Sequence, residues 1–319
     1  MKRKPQAPVT IPAKQIKHIN YSGLKGRIVH VPANKKTKRD LIFVAGQHSS
    51  HERMYPFAEF LADYANVYMI DVPGFGGMKS FKAIGKKITY DNYADYLYTV
   101  LKTQRLNKNL IFFGTSLGGQ FITRMLQKHP DTQKWSLAFI GSVSFIAAKD
   151  FYIKQPYRFM LEWFARLSIT KPGLLFTKIW RNRLVIPLML SFFARFKKKM
   201  RLGDAEKRRK HLQMEKHLWT TNDAETHGRS AVMFFNEDLR TYSDELIHVS
   251  AHNILTKDDQ YFNYKEVNKS FRDVFDQYTP HYLSWSVHMP SMIEDKAEVA
   301  KMIEPKIIDA IFEAEGWKK

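Results

Sequence analysis

A serine between two glycines is the part of this sequence most suited to covalent chemistry. The run GTSLG at residues 114–118 follows the apolar run 110–113 and precedes a helical pattern that starts at Phe121. On a tight turn from a buried strand into a helix, Ser116 must adopt a strained backbone, and the glycines leave room for that turn. The helix directs its free N–H groups and positive dipole end at the same place. Such a site suits nucleophilic attack, with stabilisation of the negative oxygen that forms.

Alternating strands and helices over residues 41–140 would position this serine. Apolar runs predict buried strands, and apolar residues at helical spacing predict helices between them. The predicted strands are 41–45, 67–70, 110–113 and 136–140, and the predicted helices are 54–64 and 91–106, the latter with Asp91 as N-cap. This alternation favours a parallel, doubly wound sheet. Residues 15–21 and 26–32 alternate apolar and polar residues, which predicts an antiparallel hairpin at the sheet edge.

The alternation stops between residues 142 and 239, where the chain is helical, aromatic and basic. It resumes with a predicted strand over 248–255, a helix over 267–275, a strand over 281–285 and a last helix over 295–313. We interpret the middle as an inserted cap over a returning sheet. The predicted organisation is a basic disordered tail (1–13), a core in two parts (14–141 and 243–319) and an inserted helical cap (142–242).

Four segments of the sequence resemble the α/β-hydrolase family. FVAGQ at 43–47 resembles its oxyanion loop, DVPGFG at 71–76 its glycine turn, and GTSLG at 114–118 its nucleophile elbow. The fourth is the tail, where ILTKDD at 254–259 resembles the acid loop and HMP at 288–290 the histidine loop. The resemblance implies the α/β-hydrolase fold, a mostly parallel doubly wound sheet with an N-terminal antiparallel hairpin and an inserted helical cap.

The same resemblance implies a catalytic triad in the chain order serine, aspartate, histidine. Ser116 would be the nucleophile, and His288 would take its proton during attack and later protonate the leaving group. Asp259 would hold the imidazole in the right tautomer. The backbone N–H groups of Gln47 and Leu117 would form the oxyanion hole.

Two alternatives concern the acid and a metal. Asp258 and Asp259 are adjacent, and the spacing from Thr256 favours Asp259 as the triad acid. The run HSSHE at residues 48–52 could suggest a metal site, but its order fits neither common zinc-protease helix motif. We therefore expect no metal, and the implied chemistry needs no cofactor.

The implied reaction is hydrolysis of a carboxylic ester or thioester with an apolar, lipid-like acyl group through an acyl-enzyme. Dehalogenase and epoxide-hydrolase chemistry is disfavoured because Ser116 stands where those enzymes need an aspartate. Carbon-carbon bond hydrolysis, acyl transfer and cofactor-free haloperoxidase activity use the same triad and stay open. So does a non-catalytic member of the fold that binds an amphiphile or a partner through the cap.

The charge of the chain points to an anionic surface as a candidate partner. The formal net charge of +20 is concentrated in two stretches, +10 over residues 1–40 and +13 over residues 149–216. Basic clusters at 195–201 and 207–210 follow the apolar run 184–196, as in a helix lying on an anionic membrane, although a solvated basic face has the same pattern. Nucleic acid is disfavoured because no recognition motif accompanies the charge.

The compartment is constrained mainly by patterns that the sequence lacks. No apolar region follows the basic N-terminus as in a signal peptide. No stretch approaches the roughly 20 apolar residues that span a bilayer. We expect a cytoplasmic protein, or one peripheral to the membrane, whose oligomeric state stays open.

Overall fold

The described part of the chain contains one eight-stranded sheet. The computed structural model describes residues 7, 9–104, 106, 109–151, 157–181, 185–186, 204–259, 261–283 and 292–317. The strands are β1 Ile16–Tyr21, β2 Leu24–Val31, β3 Asp40–Val44, β4 Asn66–Ile70, β5 Leu110–Thr115, β6 Ser136–Ser142, β7 Ser250–Thr256 and β8 Tyr278–Leu283. Their spatial order is β1-β2-β4-β3-β5-β6-β7-β8.

The sheet has an antiparallel edge and a parallel body. β1 pairs antiparallel with β2, and β2 pairs antiparallel with β4. Every pair from β4 through β3, β5, β6 and β7 to β8 is parallel. The predicted hairpin and the predicted parallel, doubly wound sheet are both confirmed.

Helices cover both faces of this sheet, as buried parallel strands require. The helices are α1 His51–Leu61, α2 Tyr90–Thr103, α3 Leu117–Lys128, α4 Tyr157–Ser168, α5 Lys171–Trp180, α6 Ala205–Thr221, α7 Ala224–Asn236, α8 Tyr264–Arg272, α9 Lys296–Met302 and α10 Pro305–Ala314. Apolar side chains of α2, α3 and α8 pack on one face, and those of α1, α9 and α10 pack on the other.

Several boundaries differ from the sequence predictions for local reasons. α2 is capped by Thr89, whose side chain accepts the N–H of Asn92, and Asp91 lies inside the first turn. β8 begins at Tyr278, three residues before the predicted start. The last predicted helix is two helices, because Pro305 starts α10 and a proline cannot continue the helix before it.

Residues 9–13 of the predicted disordered tail are ordered. Ile11 is buried and Val9 packs on the same apolar layer, so these two side chains are part of the core. A short 3-10 helix without buried residues follows at Ala13–Gln15. Residues 1–6 and 8 lie outside the described residues.

Four described helices, α4 to α7, lie between β6 and β7 and are called the inserted helices below. They occupy the stretch in which the sequence predicts a cap, and α4 and α5 both contact α7. Within the described ranges, no helix is long and apolar enough to cross a membrane.

Candidate active site

Ser116 lies between β5 and α3 in a backbone conformation that few residues other than glycine adopt. Its φ is 50° and its ψ is −121°. Its N–H donates to the carbonyl of Ser142 at 3.0 Å, and its carbonyl accepts the N–H of Gly119 at 3.0 Å. Ser116 is partly exposed, whereas Thr115 and Leu117 on either side are buried. The predicted strained turn is thus present, with the serine at the N-terminus of α3.

Glycines allow this turn to contact the end of β3 directly. A Cβ atom on Gly118 would lie 2.2 Å from the carbonyl oxygen of Val44. One on Gly46 would lie 2.6 Å from the carbonyl oxygen of Thr115. Both neighbours are backbone atoms that cannot move aside, so the close approach of the two loops depends on glycine.

The predicted oxyanion residues lie in these two loops. The N–H of Gly46 donates to the side chain of Thr115 at 3.1 Å, and a Cβ on Gly46 would lie 3.3 Å from the nitrogen of Leu117. Gln47 is the next residue along the chain. The contact supports Gln47 and Leu117 as paired donors, and their role stays a prediction.

The side chain of Gln47 binds the inserted helices. Its Nε2 donates to the carbonyl of His227 at 2.7 Å and to Oγ of Ser230 at 2.9 Å, both on α7. Sequence reasoning missed this contact, because it joins residues about 180 positions apart and neither partner belongs to a motif. The candidate oxyanion loop is therefore held partly by the insertion.

His48 connects the same loop to α6. Its Nε2 lies 3.1 Å from Oε2 of Glu215, and its ring lies 4.7 Å from the ring of Trp219. The loop turns sharply here, since His48 has a φ of 57° and its carbonyl accepts from Arg53 at 2.8 Å. Burial, together with unfavourable electrostatic interactions with His48 and Arg181, lowers the pKa of His227 to about 3. His227 is consequently neutral near pH 7.

Asp71, which the sequence suggests is a structural turn residue, is buried in an ion-pair network. Its carboxylate contacts Arg27 at 3.0 Å and His51 at 2.9 Å. Burial alone would raise the pKa of Asp71, but His51 and Arg27 lower it below its ordinary value. In the same way, His217 and Arg27 outweigh burial and lower the pKa of Glu52. These carboxylates hold loops together and are charged near pH 7.

Asp259 follows β7 and differs clearly from its neighbour. Asp259 is buried and its Oδ1 accepts the N–H groups of Tyr261 at 2.7 Å and Phe262 at 3.2 Å, whereas Asp258 is exposed. A fixed, buried carboxylate suits the orienting role, so the structure favours Asp259 over Asp258. The predicted base, His288, lies outside the described residues. The triad as a whole stays a prediction.

The run HSSHE at 48–52 directs its side chains to separate partners. His48 contacts Glu215, His51 contacts Asp71, and Glu52 contacts Arg27 and lies 3.7 Å from His217. Across the described ranges, no group of three or more His, Cys, Asp or Glu side chains could hold a metal ion.

Comparison with known proteins identifies the family. A family model described as serine aminopeptidase, S33, matches residues 35–254, which include the candidate oxyanion loop and the turn at Ser116. The chain belongs to this α/β-hydrolase family. The hydrolase core described above, with its mostly parallel sheet and flanking helices, is the fold of that family.

A curated relative matches only part of the hydrolase. The biotin biosynthesis bifunctional protein BioHC of Teredinibacter turnerae is 29% identical over 133 residues, which cover 40% of this chain and 20% of that protein. The alignment thus spans about a fifth of the relative's length. It does not transfer the relative's activity to this hydrolase.

Solved structures match nearly the whole hydrolase at low identity. An esterase from Exiguobacterium antarcticum has a TM-score of 0.64 and 14% identity, and covers 92% of this chain and 96% of its own. An epoxide hydrolase from Bacillus megaterium, solved as a point mutant, has a TM-score of 0.63 and 10% identity, with 94% and 99% covered. MenH from S. aureus has a TM-score of 0.59 and 14% identity, with 91% and 98% covered. These identities support the fold alone.

Proposed function

We propose that this hydrolase cleaves a carboxylic ester or thioester with an apolar acyl group through an acyl-enzyme on Ser116. The observation that carries the proposal is the strained Ser116, with a φ of 50°, at the N-terminus of α3. A hydroxyl held there can attack a carbonyl carbon while nearby N–H groups stabilise the resulting oxyanion.

The reaction would take place in two halves. Ser116 Oγ attacks the carbonyl carbon and His288 takes its proton, while the N–H groups of Gln47 and Leu117 bind the oxyanion. The bond from carbon to the leaving oxygen or sulfur then breaks, and His288 gives its proton to the leaving group. Water next attacks the acyl-enzyme with His288 as base, which releases the acid and restores Ser116. Asp259 would orient the imidazole throughout.

An apolar acyl group is supported by aromatic side chains beside the Asp259 loop. The ring of Phe262 lies 4.8 Å from that of Phe145 and 4.6 Å from that of Phe151. Phe151 in turn stacks on Phe234 of α7 at 5.2 Å. Phe145 and Phe262 are buried, whereas Phe151 and Phe234 are partly exposed and offer apolar surface that suits an apolar substrate portion.

Other reactions on the same triad are distinguished by their substrates. Carbon-carbon hydrolysis, acyl transfer and the peptide cleavage named in the family description would all pass through Ser116. A binding protein without catalysis would retain the fold and leave Ser116 unreactive. Reactivity at Ser116 and substrate preference are therefore separate measurements.

The first experiment tests the nucleophile. We expect a fluorophosphonate probe to label the wild-type protein, with the adduct on the peptide that contains Ser116. Ser116→Ala should abolish labelling, while Ser243→Ala, a change at a surface-loop serine, should leave it intact. Labelling of Ser116→Ala would show that the nucleophile is another residue, and absence of wild-type labelling would contradict hydrolysis by an activated serine.

The second experiment tests the substrate class. We expect kcat/KM for p-nitrophenyl esters to rise from acetate to medium-length acyl chains, since each buried methylene contributes ~0.8 kcal/mol. Matched acyl thioesters should follow the same order. Preference for acetate would contradict the apolar acyl group, and faster cleavage of aminoacyl anilides than of any ester would favour a peptidase instead.

A further inference from the structure

We propose that the hairpin formed by α4 and α5 binds an anionic phospholipid membrane surface. Of the twelve large apolar side chains that are exposed among the described residues, nine lie on these two helices. They are between 40% and 68% exposed. This set, called the α4–α5 apolar face, consists of Phe159, Met160, Leu161, Trp163, Phe164, Leu167, Leu175, Phe176 and Ile179.

The hairpin uses small residues to contact the rest of the protein. Ala165 is buried, and a Cβ on Gly228 of α7 would lie 2.6 Å from Oγ of Ser168. Thr170 caps α5 by accepting the N–H of Gly173, which fixes the turn between the two helices. Close packing on α7 therefore involves small side chains, while the large aromatic ones remain exposed.

The charge around the apolar face is complementary to anionic lipid. Residues 157–181 contain five Lys or Arg and one acidic residue, Glu162, which pairs with Arg166 at 2.8 Å. Exposed aromatic and aliphatic side chains beside cations are typical of helices at the headgroup boundary, where both kinds of group are stabilised.

The same features disfavour other occupants. A second copy of the chain would bring together two hairpins that each have a net charge of +4 over residues 157–181, which costs free energy through repulsion. Nucleic acid would use the cations and aromatic rings, but the aliphatic Met160, Leu161, Leu175 and Ile179 would gain nothing from a phosphate backbone. A bilayer offers both acyl chains and anionic headgroups.

Membrane binding would also bring the candidate site close to lipid. α7, on which the hairpin packs, holds the side chain of Gln47 through His227 and Ser230. One helix thus separates the apolar face from the candidate oxyanion loop. If the proposed function is right, a substrate dissolved in the bilayer would be available near Ser116.

Vesicle flotation tests the apolar face. We expect the wild-type protein to float with phosphatidylcholine vesicles that contain phosphatidylserine, and less with phosphatidylcholine alone. The triple variant Phe159→Ser, Trp163→Ser, Phe176→Ser should bind at least ~10-fold more weakly, because binding scales with the apolar area inserted. Leu246→Ser is the control, since Leu246 is 41% exposed and lies outside the hairpin.

A second pair of variants tests the charge. Arg158→Glu with Lys171→Glu should remove the preference for phosphatidylserine, because each cation near an anionic surface contributes about 1 kcal/mol. Lys134→Glu, at an exposed lysine outside the hairpin, should bind like the wild type apart from a small loss through net charge. Raised salt should weaken wild-type binding by screening.

The outcomes separate this proposal from the proposed function. Failure of the wild type to float, or equal flotation of the triple variant, would overturn it. A wild-type dimer in light scattering that the triple variant converts to monomer would assign the face to a second copy and also overturn it. The single variants Trp163→Ser and Phe176→Ser should each bind vesicles a few-fold more weakly than the wild type. They keep the test valid if the triple variant does not fold. Flotation in a Ser116→Ala background reports binding without catalysis.

Discussion

The turn around Ser116 and the α4–α5 hairpin are built in opposite ways. At the turn, backbone packs against backbone, and a Cβ on Gly118 would lie 2.2 Å from the carbonyl oxygen of Val44. On the hairpin, Phe159 is 68% exposed and Phe176 is 63% exposed. The turn has one accessible geometry, whereas the exposed face can change composition without altering the packing beneath it.

This difference separates the chemistry from the choice of partner. Covalent catalysis requires reacting atoms and oxyanion donors to be placed within fractions of an ångström, so it belongs on the buried sheet. Recognition of a fluid surface depends on apolar area and charge and tolerates loose geometry. Gln47 connects the turn to α7, on which the hairpin packs, because its side chain binds α7 and the preceding residue, Gly46, lies against the turn.

The largest effect should come from an isosteric change of the candidate triad acid. Asp259→Asn keeps the size of the side chain but removes the charge that would stabilise an imidazolium, so kcat should fall on the order of 10³- to 10⁴-fold. Asp258→Asn, at the exposed neighbour, should stay within about twofold. Steady-state hydrolysis of a soluble ester measures both. If the two variants lose equal activity, Asp259 is not the triad acid.

A pair of glycine variants tests whether packing is tighter at the turn than in the insertion. Gly118→Ala meets the backbone of Val44 and should lower the free energy of unfolding by about 3 kcal/mol. Gly228→Ala meets Oγ of Ser168 at 2.6 Å and Cγ2 of Ile169 at 2.8 Å, which are side-chain and not backbone atoms, and helix propensity favours alanine there by about 1 kcal/mol, so its loss should be smaller than that of Gly118→Ala. Urea unfolding measures the difference. Equal losses would mean that the insertion packs as rigidly as the core.

A third change tests the connection between the regions. Ser230→Ala removes one of two acceptors from Gln47 Nε2, and a hydrogen bond contributes about 1 kcal/mol, so kcat/KM should fall about fivefold. In Gln47→Ala, kcat/KM should fall further, because the change removes both side-chain contacts and keeps only the backbone N–H. Thr177→Ala, on α5, is the control. Unchanged kinetics in both Gln47 and Ser230 variants would show that the inserted helices do not position the oxyanion loop.

The smallest effect is a pH dependence of stability that arises from His281 on β8 and His227 on α7. Burial and the neighbouring His252 lower the pKa of His281 to about 4, and burial and His48 lower that of His227 to about 3, from an ordinary value of 6.5. Each histidine therefore stabilises the fold fully above pH 6.5, and this stability is lost as pH falls toward about 4 and about 3 respectively.

Replacement of one histidine should reduce the number of protons taken up on unfolding by at most one. The unfolding free energy then depends less steeply on pH. In His281→Gln, the unfolding free energy should decrease less between pH 6.5 and about 4, and ester turnover near neutral pH should not change. In His227→Gln, the decrease in unfolding free energy should be smaller down to a lower pH. Ester turnover should also change, because the helix that contains His227 holds Gln47. Urea unfolding across the pH range measures both. An unfolding free energy that rises as pH falls would contradict the lowered pKa values of the two histidines.

Features encoded over short stretches were predictable from the sequence. Apolar runs located the strands from β3 to β6, because a strand buried on both faces needs continuous apolar residues. The glycines on either side of Ser116 indicated the strained turn for the same local reason. Errors arose where one side chain decided a boundary, as when Thr89 rather than Asp91 capped α2.

Features that depend on distant residues were not predictable. The adjacent Asp258 and Asp259 differ only in burial, which the packing of the acid loop decides. The hydrogen bond from Gln47 to α7 joins two segments that no sequence pattern links.

The aromatic spacing of α4 fits a packed core and an exposed face equally well, because periodicity says which side chains share a side and not what that side meets. The sequence alone thus determined the fold class and the candidate nucleophile. The tertiary structure decided which carboxylate is buried, what holds the oxyanion loop and which apolar side chains remain exposed, since each of these depends on contacts between residues far apart in the chain.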